Sequence, residues 1–353
     1  MSINNANEII IPRWFDRHLH LREWEMLRQV LPCTLRQQAT GAVIMPNLTD
    51  PITTIEKAQA YKKAILDLSP PDSGFVPCLT LYLTDQTDPE EVVRGFQMGA
   101  WRAVKLYMTS QAGQGGTTGS AHGVRDLFGR YKVLEVMEKH GIPLLGHFEA
   151  VEAEVDEFDR EVVSLCRDLI PLLKAFPNLP VVFEHVTDSR VADLVASGEY
   201  ENLYATVTAH HLLLNRNDMF SGGMTPLHYC KPVPKREEHR QVIRQYVTSG
   251  HWRFGAGTDS APHDVSRKSR CVGCAAGIFT APIAVELYAT VFDEDNALQH
   301  LGAFLSKNFL SIYGMKVSKE MMLLQRQDCE IPEGIGNIRV FRGGTKLPWK
   351  LCT

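Results

Sequence analysis

Along the chain, short apolar runs alternate with longer stretches whose apolar residues recur every three or four positions. Eight of the runs read as strands, at residues 10–15, 41–47, 75–83, 103–108, 142–147, 181–185, 203–208 and 253–259. Between most of them the helical spacing predicts helices, as at 51–68, 124–139, 156–175 and 236–249. Residues 23–38 and 189–197 predict further helices. Asp88-Pro89-Glu90-Glu91 supplies a cap, a first-turn proline and acids at the positive end of another. Residues 109–122 are too rich in glycine and threonine for a helix, and 210–234 lack a clean period and read as an extended loop. From 282 onward the pattern predicts mainly helix, then a polar tail ending in a glycine-rich turn.

Strands alternating with helices predict parallel βα units. Eight of them predict an α/β fold of the closed (β/α)₈ TIM-barrel type, with additional helices at the C-terminus. The pattern alone leaves an open, doubly wound sheet as the alternative. No G-x-G-x-x-G opens a helix after an early strand, and no phosphate-cradling loop with its lysine is found. No stretch reads as a linker, so residues 1–353 are expected to form one domain.

Composition narrows the function classes. A chain of 353 residues can bury a large core. The net charge of -4, with both signs intermixed, lacks the basic footprint of a nucleic-acid binder. No window is long and apolar enough for a membrane span, and the first residues lack a secretory signal pattern. Eight scattered cysteines favour reduced thiols and a cytoplasmic location. Cys271-Val272-Gly273-Cys274 has no second pair nearby, which favours ordinary thiols over a zinc knuckle.

The candidate chemistry begins at Asp16-Arg17-His18-Leu19-His20-Leu21-Arg22. On an extended chain His18 and His20 point the same way and can converge on one metal ion. Arg22 continues that parity, and a cationic fork beside a metal pair suits an anionic substrate. Further polar residues close later runs: Asn47, His147, His185 and Asp259, with Lys105 inside the fourth. Singly, each histidine reads as an ordinary hydrogen-bonded residue, Asp259 as a cap and Asn47 as a turn former. In a barrel, however, all reach the C-terminal rim where active sites are built. Four histidines and an aspartate there suit zinc. Lys105, flanked by Val104, Leu106 and Tyr107, fits a buried salt bridge, a snorkelling stem, or a neutral amine that takes up carbon dioxide as a metal-bridging carbamate. His210 and His211 are adjacent, so an extended chain sends them to opposite faces. His263, four residues after Asp259, is a candidate substrate contact.

This ordered set resembles the dihydroorotases of the compact, bacterial-type class within the metal-dependent amidohydrolase superfamily. The resemblance spans nearly the whole chain. It is carried by the His18 segment, Met45-Pro46-Asn47-Leu48, Val104-Lys105-Leu106-Tyr107, Gly146-His147, Glu184-His185 and Gly257-Thr258-Asp259-Ser260-Ala261-Pro262-His263, down to Asn215-Arg216-Asn217 and the Cys271-to-Cys274 neighbourhood followed by Ala275. It implies two zinc ions per chain: His18, His20 and Asp259 on one, His147 and His185 on the other, with N6-carboxylated Lys105 and a hydroxide between them. It also implies that Asp259 is the catalytic proton carrier. Arg22, Asn47 and His263 would hold the substrate carboxylate, and backbone groups near Lys231 and Ala275 would meet the pyrimidine ring. Thr117 and Thr118 would close a lid. The implied reaction is reversible cyclisation of N-carbamoyl-L-aspartate to L-dihydroorotate, by a homodimer. Segment 110–120 is longer than the family pattern leads one to expect, and Lys231 stands where an apolar residue is usual. Another cyclic amidase, such as a hydantoinase, and a non-catalytic barrel are the competing readings.

Overall fold

The computed structural model describes residues 2–5, 7–110, 122–270 and 272–352. Eight parallel strands form the barrel: β1 Asp16–Leu19, β2 Gly41–Ile44, β3 Val76–Tyr82, β4 Ala103–Tyr107, β5 Leu144–His147, β6 Val181–Phe183, β7 Leu203–Val207 and β8 Phe254–Ala256. Each pairs with its sequence neighbours in order. The two edges meet just beyond β8, where Leu19 and Ser260 form a parallel bridge and Asp259 N–H donates to the His18 carbonyl (2.9 Å). The closed barrel expected from the eight apolar runs is therefore present.

Strand alternation decides which side chains face inward. On β4, Val104 and Leu106 pack outward into the strand–helix core, whereas Ala103 joins the inner cluster with Val43, Cys78, Leu145 and Val182. Lys105 and Tyr107 share the parity of Ala103 and so face the interior. Phe309, Leu310 and Tyr313 belong to the same inner cluster.

Two expectations need correction. The first apolar run is not one strand: Glu8–Pro12 leaves the barrel and pairs antiparallel with Met321–Glu330, and β1 begins only at Asp16. The C-terminal tail is likewise not all helix. After the helices Ala284–Glu294 and Leu298–Ser306, the strands Met321–Glu330 and Lys346–Leu351 join Ser2–Asn5 and Glu8–Pro12 in a four-stranded sheet. The cause is period-two burial: Leu347, Trp349 and Leu351 are buried while Lys346 and Lys350 are exposed. Residues 156–175 also start their helix late, at Arg160, and contain a π-helical turn at Leu165–Leu169.

Trp349 anchors the accessory sheet. It is fully buried, its indole N–H donates to Asp293 (3.1 Å), and the Arg326 guanidinium lies 4.6 Å from its ring centre. Trp349→Ala is expected to cost about 3–5 kcal/mol by cavity formation, read as a lowered midpoint in denaturant unfolding.

Candidate metal centre and substrate cleft

The rim residues converge. His18 lies on β1 and His20 just beyond it, and their Nε2 atoms are 3.3 Å apart. Both face Asp259 Oδ1, at 3.3 Å from His18 and 3.0 Å from His20. Across the mouth, His147 at the end of β5 brings Nδ1 within 3.0 Å of His185 Nε2. The His18 and His185 rings, 5.1 Å apart, join the two halves. Donor atoms of His18, His185 and Asp259 lie within 4.8 Å of one another.

Backbone geometry accounts for part of this convergence. His185 lies two residues past β6 and Asp259 three past β8, and both have left-handed φ, +45° and +42°. Arg22 is also left-handed, at +58°. Such conformations are costly for residues with a Cβ and concentrate at functional sites. Here they turn the side chains back over the mouth. Asp16 holds this corner by accepting from the backbone N–H groups of His18 (3.1 Å) and Thr258 (2.9 Å) and from the Thr258 hydroxyl (2.6 Å). Gly257 lets β8 approach, since a Cβ there would stand 2.8 Å from Thr206 and 3.0 Å from His18.

Burial sets the protonation states. It pushes the pKa values of His18, His147 and His185 down, and that of His20 to about 3 with help from the nearby Arg22 charge. Neutral imidazoles are the form that binds metal. Burial alone would raise Asp259, but His18 and His20 hold its carboxyl well below the usual range. Burial drives Lys105 well below an ordinary amine, with the Asp259 charge opposing.

Sequence reasoning did not find the groups that orient these donors. Glu184 Oε1 lies 2.9 Å from His18 Nδ1, and its other oxygen pairs with Lys105 Nζ. Glu149 Oε2 lies 2.7 Å from His147 Nε2. Both glutamates are fully buried. Their signal was parity: Glu184 continues the inward register of Val182, and Glu149 lies two residues past His147. A carboxylate on one ring nitrogen fixes the tautomer, leaving the other nitrogen's lone pair for a metal. Glu149→Gln is expected to weaken metal affinity about 10- to 100-fold, read by competition with a chelator.

One cleft is lined by His18, His20, Arg22, Asn47, Tyr107, His147, His185, Lys231, Asp259, Ala261, Ala276 and Gly277. Arg22 Nη2 is 3.3 Å from His263 Nε2, and Asn47 Oδ1 is buried with no partner among the described residues. Lys231 pairs with Glu157. Ala275 N–H donates to Arg267 O (3.1 Å) and its carbonyl accepts from Lys268 Nζ (3.0 Å), and the next residues, Ala276 and Gly277, line the cleft. Thr117, Thr118 and Cys271 lie outside the described residues. The seven described cysteines are unpaired, Cys274 among them. The stretch expected to be extended at His210 is instead the helix Ala209–Leu213, capped by Thr208, whose hydroxyl accepts from His211 N–H. Both histidines are buried there. Among the described residues no helix is long and apolar enough to cross a membrane.

A parallel eight-stranded barrel with these donors on its C-terminal rim is the architecture of the TIM-barrel amidohydrolases. The comparisons with known proteins specify the family. A dihydroorotase of Synechococcus sp. (strain CC9902) is 46% identical over 340 residues, covering 96% of this chain and 97% of the relative. The crystal structure of a Saccharomyces cerevisiae dihydroorotase in complex with 5-fluoroorotic acid matches with a TM-score of 0.89 and 31% identity, over 98% of this chain and 99% of that one. A Campylobacter jejuni dihydroorotase matches with a TM-score of 0.87 and 32% identity, over 99% and 98% of the two chains. No family model matches the chain. The chain belongs to the dihydroorotase family and is a cyclic amide hydrolase.

Proposed function

We propose that the protein is a zinc-dependent dihydroorotase of pyrimidine biosynthesis, which reversibly cyclises N-carbamoyl-L-aspartate to L-dihydroorotate. The observation that carries this reading is the junction of two features in one cleft. A ring of neutral imidazoles around a carboxylate adjoins an arginine, a histidine and the Asn47 amide. Near-full-length relatives named dihydroorotase support it.

The donors fit two metal ions. His18, His20 and Asp259 present three atoms within 3.0 to 3.3 Å of one another, a spacing suited to one ion. His147 and His185 present two more. Lys105 lies fully buried inside the barrel on the adjoining strand. Burial favours its neutral amine, the form that attacks carbon dioxide, and the resulting carbamate, formed with release of a proton, would offer two oxygens to the metal pair. Zinc at these donors would supply an activated water and polarise the ring amide carbonyl.

The chain's own side chains do the rest. Asp259, kept ionised, takes the proton of the attacking water and returns it to the departing ring nitrogen. The Arg22 fork holds the substrate carboxylate through two parallel hydrogen bonds. The Asn47 amide and His263 complete that clamp. Lys231 and the Ala276–Gly277 wall face the ring. A homodimer working in the cytoplasm accompanies the family reading, and sedimentation of the pure protein tests the dimer.

The test is turnover of L-dihydroorotate beside that of an uncharged hydantoin. Arg22→Met is expected to raise KM for dihydroorotate at least about 30-fold, since losing one partner of a buried charged pair costs about 2–5 kcal/mol. The hydantoin should feel no such change. Faster turnover of the hydantoin by the unaltered protein would overturn the proposed substrate.

A further inference from the structure

Beside the cleft, but not part of the donor set above, His210, His211 and Cys230 form a second cluster whose ligand atoms lie within 4.8 Å of one another. All three are buried. The helix Ala209–Leu213 follows β7 directly, and Cys230 returns to it from the far side of segment 214–230.

Its geometry resembles a coordination shell. His211 Nε2 stands 3.4 Å from Cys230 Sγ and 3.0 Å from the Pro232 carbonyl oxygen, which is 3.5 Å from the same sulfur. Donors on a tetrahedral zinc, with bonds of about 2.0–2.3 Å, stand about 3.3–3.6 Å apart. Without a metal, His211 Nε2–H donates to the Pro232 carbonyl, with Nδ1 2.8 Å from the Thr208 hydroxyl. On metal binding the ring proton would move to Nδ1, where the Thr208 oxygen can accept it, and free the Nε2 lone pair.

His210 is the independent observation. It is fully buried, and neither ring nitrogen has a hydrogen-bond partner among the described residues. Its ring centre lies 4.5 Å from that of His211. Buried imidazole nitrogens are ordinarily paired, and one left unpaired forfeits its hydration without compensation. A cation among these three side chains would satisfy it.

We infer that His210, His211 and Cys230, with the Pro232 carbonyl as an additional oxygen donor, form a further metal site for a thiolate- and imidazole-seeking divalent cation of the zinc class. Binding would release the Cys230 thiol proton to solvent. Burial pushes the Cys230 thiol well above its ordinary range, with the nearby Lys268 charge opposing, so the bound cation itself would have to stabilise the thiolate. The ion would tie segment 214–230 to the end of β7 and fix the cleft residue Lys231 beside its ligand Cys230. The inference stands apart from the proposed reaction.

Cobalt(II) loading of the full-length protein tests it, because the donor set around Asp259 contains no sulfur. The expected result is a near-ultraviolet thiolate-to-cobalt charge-transfer band that disappears in Cys230→Ser. Under zinc, the unaltered protein should retain about one more equivalent per chain than either Cys230→Ser or His210→Gln. Absence of the band from the unaltered protein, which needs no variant to fold, would overturn the site. Persistence of the band in Cys230→Ser would assign it to another cysteine and overturn the site equally.

Discussion

Asp259→Ala is expected to lower kcat for dihydroorotate hydrolysis by at least about 10³-fold, within the range attributed to a positioned proton carrier. The side chain meets both His18 and His20 through Oδ1, and those histidines keep it ionised. Under the proposed function its loss would remove a metal donor and the proton acceptor together. The proposed carboxylate clamp at Arg22, Asn47 and His263 would be untouched, so substrate affinity should change far less than turnover. Two measurements separate the roles: steady-state kinetics at saturating zinc, and metal content of the same samples. Strong residual turnover with a full metal complement would remove Asp259 from proton transfer.

Lys105→Met is expected to abolish turnover, by about 10³-fold or more, and to lower the metal content by about one ion or more per chain. Methionine is also unbranched and long, so it fills much of the same buried volume on β4 without an amine. It would leave Glu184 without its lysine partner, while Glu184 still faces His18. Loss of stability and loss of metal are therefore to be read separately, by unfolding of the metal-free protein and by metal analysis. The same assignment predicts that metal-free protein prepared without bicarbonate reloads poorly, and that bicarbonate restores loading. Reloading to the full metal content without bicarbonate would leave Lys105 as a buried ion-pair partner only.

The barrel was legible because seven of its eight strands fall within short apolar runs; the exception is β1, Asp16–Leu19, which the first run only precedes. His18, His20, His147, His185 and Asp259 could be placed on one rim from strand order alone. What pairs with them was less accessible. Glu184 and Glu149 lie among residues whose burial only the closed barrel creates, and a glutamate near a strand end otherwise reads as solvated. The left-handed backbone at His185 and Asp259 leaves no mark in residue type, since neither is glycine. The accessory sheet was missed for a different reason. Glu8–Pro12 and Met321–Glu330 pair across some three hundred residues of sequence; the first was read as running on into the barrel, and the second loses its apolar character after Leu324, at Gln325-Arg326-Gln327-Asp328. His210 was misplaced because an adjacent histidine pair was read as extended chain, whereas Thr208 caps a short helix there.

The most direct test of the central claim is a crystal structure of the zinc-replete protein with N-carbamoyl-L-aspartate or L-dihydroorotate. The account predicts two anomalous metal peaks in the substrate cleft, one bound by His18, His20 and Asp259 and one by His147 and His185, with a carbamate on Lys105 between them and a substrate carboxylate on Arg22. Absence of both peaks under metal-replete conditions, or a substrate carboxylate bound away from Arg22, would contradict it.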